Sequence, residues 1–197
     1  MNVTPRTSAL AALILMIGVA AGSLHARIRI TRADADPRGL IIRTVETQRD
    51  GTTFRHQAVW SLEHGAEQPG VLMVPNWMGP TEESLHKAAE IASEGYVVLM
   101  ADIYGVEVRP KNSQEAGQAA GKVRSDRRGL MRPRAQMALD ALRNLEEAPL
   151  DTENVAAIGF CFGGGTVLEL GRAGADLDVI VSFHGDLASP TLGDAAA

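Results

Sequence analysis

The segment best equipped for chemistry is Gly159-Phe160-Cys161-Phe162-Gly163-Gly164, which holds the only cysteine of the 197-residue chain. It joins an apolar run, Val155–Phe160, to a glycine-rich helix start. A strand-to-helix turn this sharp forces its central residue into a strained conformation, and side chains two positions to either side would clash with the neighbouring strand and helix. Glycine at 159 and 163 removes those clashes. The central side chain then points out over the sheet edge. The helix amino end beneath it offers free N–H groups and a partial positive charge to a thiolate, or to an oxyanion formed beside it. Cys161 is therefore the candidate nucleophile and the Phe162 N–H a candidate oxyanion donor. A second donor should come from the loop after the first buried strand, Asn76-Trp77-Met78-Gly79, where the Trp77 N–H is the natural choice.

Other readings of these residues are less demanding. A lone cysteine is often only a small buried hydrophobe. The glycines at 159 and 163–165 do not follow the G-x-G-x-x-G spacing of a dinucleotide site. There is no Walker motif and no metal-ligand spacing, so neither cofactor nor metal is expected. His184, at the end of the fourth buried strand, is a candidate base or pocket residue. Asp186 reads as a loop residue and Asp102 as the anchor of the Ile103-Tyr104 turn. His56, His64 and His86 read as surface.

Alternation over Leu40–Thr47 and Thr53–Trp60, divided by Asp50-Gly51, predicts an antiparallel ribbon. Continuous apolar runs at 70–75, 96–101, 155–160 and 177–183 predict strands covered on both faces. A helix starts at Thr81 and stops at Gly95, with Leu85, Ala88, Ala89 and Ala92 inward. Residues 106–124 read as a long loop with one helical turn. Ser125 to about Glu147 reads as a helix broken near Gly129 and Pro133, and another runs from about Thr166 to Arg172. Strands alternating with helices make this an α/β protein, with a mostly parallel sheet, helices on both faces and an N-terminal antiparallel ribbon. Loops 76–80, 102–106, 161–165 and 184–188 meet at the carboxyl ends of its strands, where such sheets place their sites.

Ala9–Ala21 is an apolar run of signal-peptide length behind a short polar start containing Arg6. Residues 1–26 are expected to be a signal peptide cut after Ala26, with Ser23 a second possible site and an uncleaved anchor the alternative. Residues 27–197 then form one exported domain, periplasmic or secreted, that meets a membrane only during export. A net charge of −5, spread along the chain, argues against a nucleic-acid partner. The one basic stripe, Lys122 to Arg134, reads as a solvated helix face.

With the elbow go Val71-Leu-Met-Val-Pro75, Glu94-Gly-Tyr96 through Asp102-Ile-Tyr104-Gly105, and Arg134-Ala-Gln136 with Ala138-Leu139, in a fixed order. Together they resemble the dienelactone hydrolase family of α/β-hydrolases over roughly residues 40–190. The resemblance implies hydrolysis of a carboxylic ester or lactone through a cysteine acyl-enzyme. Cys161 would be the nucleophile and the Phe162 and Trp77 N–H groups the oxyanion hole, with Asn76, Met78 and Tyr104 lining the substrate pocket. Family members carry a glutamate where neutral Asn76 stands, which broadens the expected substrates beyond dienelactone. They also continue past the fourth buried strand to an acid and then a histidine near the end, whereas no histidine follows His184 here. The chain thus reads as a C-terminally truncated member, its last strands and helix missing. The alternative is a non-catalytic remnant that binds a small molecule or self-associates through the exposed sheet edge.

Overall fold

A computed structural model describes residues 29–32, 39–190 and 193–194; the proposed signal peptide lies outside them. Seven strands form one mixed sheet in the order β1-β2-β3-β5-β4-β6-β7. They are β1 (Arg29–Arg32), β2 (Leu40–Arg49), β3 (Thr52–Ser61), β4 (Gln68–Val74), β5 (Val97–Met100), β6 (Leu150–Phe160) and β7 (Val179–Phe183). The last four run parallel, and β1, β2 and β3 form the antiparallel part. The expected ribbon is β2–β3, closed at Asp50 and Gly51, both at positive φ as a tight hairpin requires. It gains a third strand, β1, that the sequence reading did not include.

Helix α1 (Glu82–Ser93) covers one face of the sheet, capped by the Thr81 hydroxyl, which accepts from the Ser84 N–H. Its alanines 88, 89 and 92 pack against Val59, Val71, Met73, Val98 and Met100. The other face carries α3 (Arg132–Arg143) and α4 (Phe162–Arg172), packed on Leu72, Val74, Leu99 and Ala157. The region read as a loop at 106–124 contains a full helix, α2 (Ser113–Ser125). Its buried stripe is Ala116, Ala120 and Val123, and Asn112 caps it by accepting from the Glu115 N–H. Ser125 is therefore the end of a helix rather than a cap. The expected break follows as a single π-helical turn, Arg127–Met131, which hands over to α3 at Pro133.

Two further expectations are corrected. His56 is fully buried, because it shares a face of β3 with Phe54 and Ala58 and points into the protein. The basic stripe is a solvated face only in part: Lys122 and Arg128 are exposed. Arg127 and Arg132 turn inward to the carboxylate of Glu169 on α4, which has no exposed surface and also pairs with Arg172. Glu169 is held below the ordinary glutamate range: burial opposes this, and bonds from Ser189 and Arg132 and the nearby Arg127 outweigh it. A carboxylate removed from water survives when it is paired in this way. Arg127 also reaches Asp186, and Arg132 pairs with Asp194, so the cluster ties the segment after β7 to the back of α4.

At the far edge of the sheet, Val179, Val181 and Phe183 of β7 are 52%, 36% and 47% exposed. Phe183 stacks on Phe160 at 4.9 Å between ring centroids.

Candidate active site

Cys161 joins β6 to α4 with φ 54° and ψ −112°. Its N–H donates to the Phe183 carbonyl at 2.9 Å, which locks the strained residue to the neighbouring strand. The two glycines are needed for space. A Cβ on Gly159 would overlap the Gly163 carbonyl, and one on Gly163 would overlap the Val74 carbonyl. The thiol is free and half-buried. At the first position of α4, the Phe162 N–H has no carbonyl one turn back to receive it.

The loop after β4 is a turn in which several polar backbone groups are engaged. The Gly79 N–H donates to the Asn76 carbonyl at 2.9 Å. The Asn76 carboxamide oxygen accepts from the Met78 N–H at 2.9 Å. The Trp77 carbonyl accepts from the Tyr104 hydroxyl, also at 2.9 Å. The Trp77 N–H is left without an acceptor among the described residues. Gly163 packs directly beneath Val74 and Pro75, which brings this turn to the elbow. Val74, Pro75, Asn76, Gly79, Tyr104 and Phe162 pack around a partly open gap with no room for a water molecule.

Tyr104 comes from the loop after β5, and Asp102 organises that loop. The Asp102 carboxylate has no exposed surface; it accepts from the N–H groups of Tyr104, Gly105 and Arg55 and pairs with Arg109 at 2.7 Å. The expected role of Asp102 in holding the Ile103-Tyr104 turn is what the bonds show. Behind it, the Asp102 N–H donates to His56 Nδ1 at 3.0 Å, so His56 carries its proton on Nε2 and donates to Thr47 Oγ1 at 2.9 Å. Burial lowers the His56 pKa from 6.5 to about 4; the Asp102 charge opposes this and Arg109 adds to it.

The remaining expected site residues fall in different places. Trp77 is 37% exposed and Met78 partly so, at the rim of the turn. Tyr104 is only 4% exposed, with its hydroxyl directed at the Trp77 carbonyl. Burial holds that hydroxyl well above the ordinary phenol range; Arg124 opposes this, and Cys161 and Asp102 reinforce it. It therefore stays a hydrogen-bond donor. His184 follows β7 at φ 44° with an exposed side chain and makes no hydrogen bond to Cys161. Two contacts were not anticipated from the sequence. The Arg124 guanidinium lies 5.6 Å from the Phe162 ring centroid, and Gly117 of α2 faces the Trp77 indole.

A sequence model described as the dienelactone hydrolase family matches residues 57–197. Among solved structures, a protein named m3DLH superposes with a TM-score of 0.73 at 32% identity. A dienelactone hydrolase-like promiscuous phosphotriesterase from metagenomic libraries gives 0.72 at 35% identity. Each match covers 79% of this chain, which spans 64% of the length of either protein. Acetyl xylan esterase 1 from Thermoanaerobacterium shares the fold, with a TM-score of 0.59 at 12% identity, over 83% of this chain and 54% of its own. An uncharacterised protein of Caenorhabditis elegans is 39% identical over 64 residues, which are 32% of this chain and 39% of that protein. The family match spans well over half the chain and includes the elbow, the turn at 76–79 and the Tyr104 loop, so the chain belongs to the dienelactone hydrolase family of α/β-hydrolases.

Proposed function

We propose that this chain carries the acylation site of a carboxylic ester or lactone hydrolase with a cysteine nucleophile. The observation that supports this most is Cys161 held at φ 54° at the start of α4, with the Phe162 N–H at that helix end and the Trp77 N–H on the adjoining turn both without an acceptor among the described residues. The Cys161 thiolate adds to the ester carbonyl, forming a C–S bond and moving the carbonyl electron pair onto oxygen. That oxyanion sits against the two N–H groups, which are oriented before substrate arrives. Collapse expels the alcohol or opens the lactone, the leaving oxygen taking up a proton, and leaves a thioester on Cys161. Water then cleaves the thioester to release the acid and regenerate the thiol. Asn76 serves this site by holding the turn, with its carboxamide oxygen engaged by the Met78 N–H. His184 and Met78, on the loops after β7 and β4, are kept in this proposal as substrate-pocket residues.

The test is turnover of a small activated ester, p-nitrophenyl acetate, by the parent chain and by Cys161→Ala. The expected outcome is a burst of p-nitrophenolate from the parent and none from the variant, with an acetyl group found on Cys161 by mass spectrometry. Turnover by Cys161→Ala at the parent rate would end the assignment.

The exposed apolar face of β7 favours a second reading, a non-catalytic domain that self-associates through this edge. That reading predicts alkylation of Cys161 without ester turnover, and a mass in light scattering that rises with concentration. We also place the mature protein in an exported compartment, on the strength of the apolar run Ala9–Ala21. A mature N-terminus at Arg27, read from an exporting host, is the expected result.

A further inference from the structure

We propose that Tyr104 is a positioning residue that sets the oxyanion hole by holding its two halves together. The inference rests on the acylation site proposed above. Tyr104 touches both sources of N–H donors. Its hydroxyl donates to the Trp77 carbonyl at 2.9 Å. Its ring packs against Phe162 with centroids 5.3 Å apart. The same ring lies 3.2 Å from where a Cβ on Gly79 would stand, so it also supports the end of the turn.

The bond to Trp77 has a specific consequence for the free donor. The peptide between Trp77 and Met78 is held at both ends, its carbonyl by Tyr104 and its N–H by Asn76 Oδ1. The peptide before it is held through its carbonyl, which accepts from the Gly79 N–H. The Trp77 N–H belongs to that preceding peptide, so its direction is fixed by its neighbours rather than by a bond of its own. Without the Tyr104 bond, the Trp77–Met78 peptide is held only through the Met78 N–H, and the turn can rotate more widely about Trp77. Tyr104 is itself fixed from below, since Asp102 accepts the Tyr104 and Gly105 N–H groups and His56 accepts the Asp102 N–H. A buried polar chain thus runs from the ribbon strands to the hole. The hydroxyl contacts no reacting atom in this arrangement and acts only through the turn.

The experiment compares Tyr104→Phe with the parent in two reactions at Cys161. Acylation by p-nitrophenyl acetate builds an oxyanion, whereas alkylation by iodoacetamide is a displacement at saturated carbon and builds none. Removing a whole oxyanion donor costs roughly 100- to 1,000-fold, so loosening one should slow acylation by about 10- to 30-fold. KM and the alkylation rate should each stay within about twofold. Para-aminophenylalanine at 104, which returns an N–H donor at the same place, should recover most of the loss. Equal slowing of both reactions, or a phenylalanine variant that acylates like the parent, would overturn the positioning role. Neither result touches the nucleophile assignment, which fails separately if Cys161→Ala keeps its turnover. If Tyr104→Phe melts early, both reactions are read at a temperature where its circular dichroism matches that of the parent, and the same selective loss of acylation is expected.

Discussion

His56 makes the acid stability of this fold a measurable consequence of one hydrogen bond. Its Nδ1 is occupied by the Asp102 N–H, so a second proton on the ring would face a donor inside a dry site. Burial holds its pKa at about 4, against an ordinary histidine value of 6.5. The sign follows from comparing the two states. Above pH 6.5 the ring is neutral whether the chain is folded or not. Below it the unfolded chain takes up a proton that the folded chain refuses, so stability falls with pH until the folded ring also titrates near 4. At ~1.4 kcal/mol per pH unit, the loss over that window is about 3 kcal/mol, a large share of the ~5–15 kcal/mol typical of a domain. His56→Gln is the matched control. Its Oε1 can accept from Asp102 and its Nε2 can donate to Thr47, without a titration. Urea unfolding from pH 7.5 to 4.5 should show the parent losing stability steadily, while the glutamine variant stays nearly flat. The depressed carboxylates, among them Asp194 at about 2, titrate below this window and are common to both chains. Parallel stability profiles for parent and variant would refute the reasoning.

The elbow and its support allow two further predictions. Gly163→Ala places a Cβ inside the Val74 carbonyl, where only backbone can yield; a loss beyond ~4 kcal/mol is expected, of the size seen when a special backbone site is broken, read as failure to fold or collapse of the urea midpoint. Glu169→Gln removes the charge that Arg127, Arg132 and Arg172 share at the back of α4. Arg127 keeps Asp186, Arg132 keeps Asp194 and Arg172 keeps the Leu187 carbonyl, so the cost should be about 2 kcal/mol, that of weakened charged hydrogen bonds, and an unchanged midpoint would mean that Glu169 contributes nothing net.

How much of this was legible in the sequence depended on whether the signal was local. The elbow could be read because its glycines answer a steric demand within five residues, and the Asp50-Gly51 hairpin because both central residues must take positive φ. Helix α2 was missed because its inward stripe is two alanines and a valine, which add little apolar signal. The sign that could have found it is the pairing of Asn112 with Glu115, each side chain reaching a partner in the other's backbone neighbourhood: Asn112 accepts from the Glu115 N–H and Glu115 from the Lys111 N–H. The inward arginines were missed because their partner, Glu169, lies some 40 residues away on another element, and no local pattern announces that.

His56 is the more instructive miss, because its neighbours in sequence, Arg55 and Gln57, are polar and invite a surface reading. The period of a strand is two, and the relevant neighbours are Phe54 and Ala58, both fully buried. Counted that way, His56 belongs inside, and an inward histidine must find a donor and an acceptor to be tolerated there. It finds them in the Asp102 N–H and the Thr47 hydroxyl. Asp102 could be read from the sequence as a turn anchor, but not the chain of bonds it completes, from Thr47 and His56 beneath it to Tyr104 and the Trp77 carbonyl above. The elbow's position is written into six consecutive residues. The orientation of the donor opposite it depends on five elements meeting, which is why the sequence named the Trp77 N–H but could not say what holds it in place.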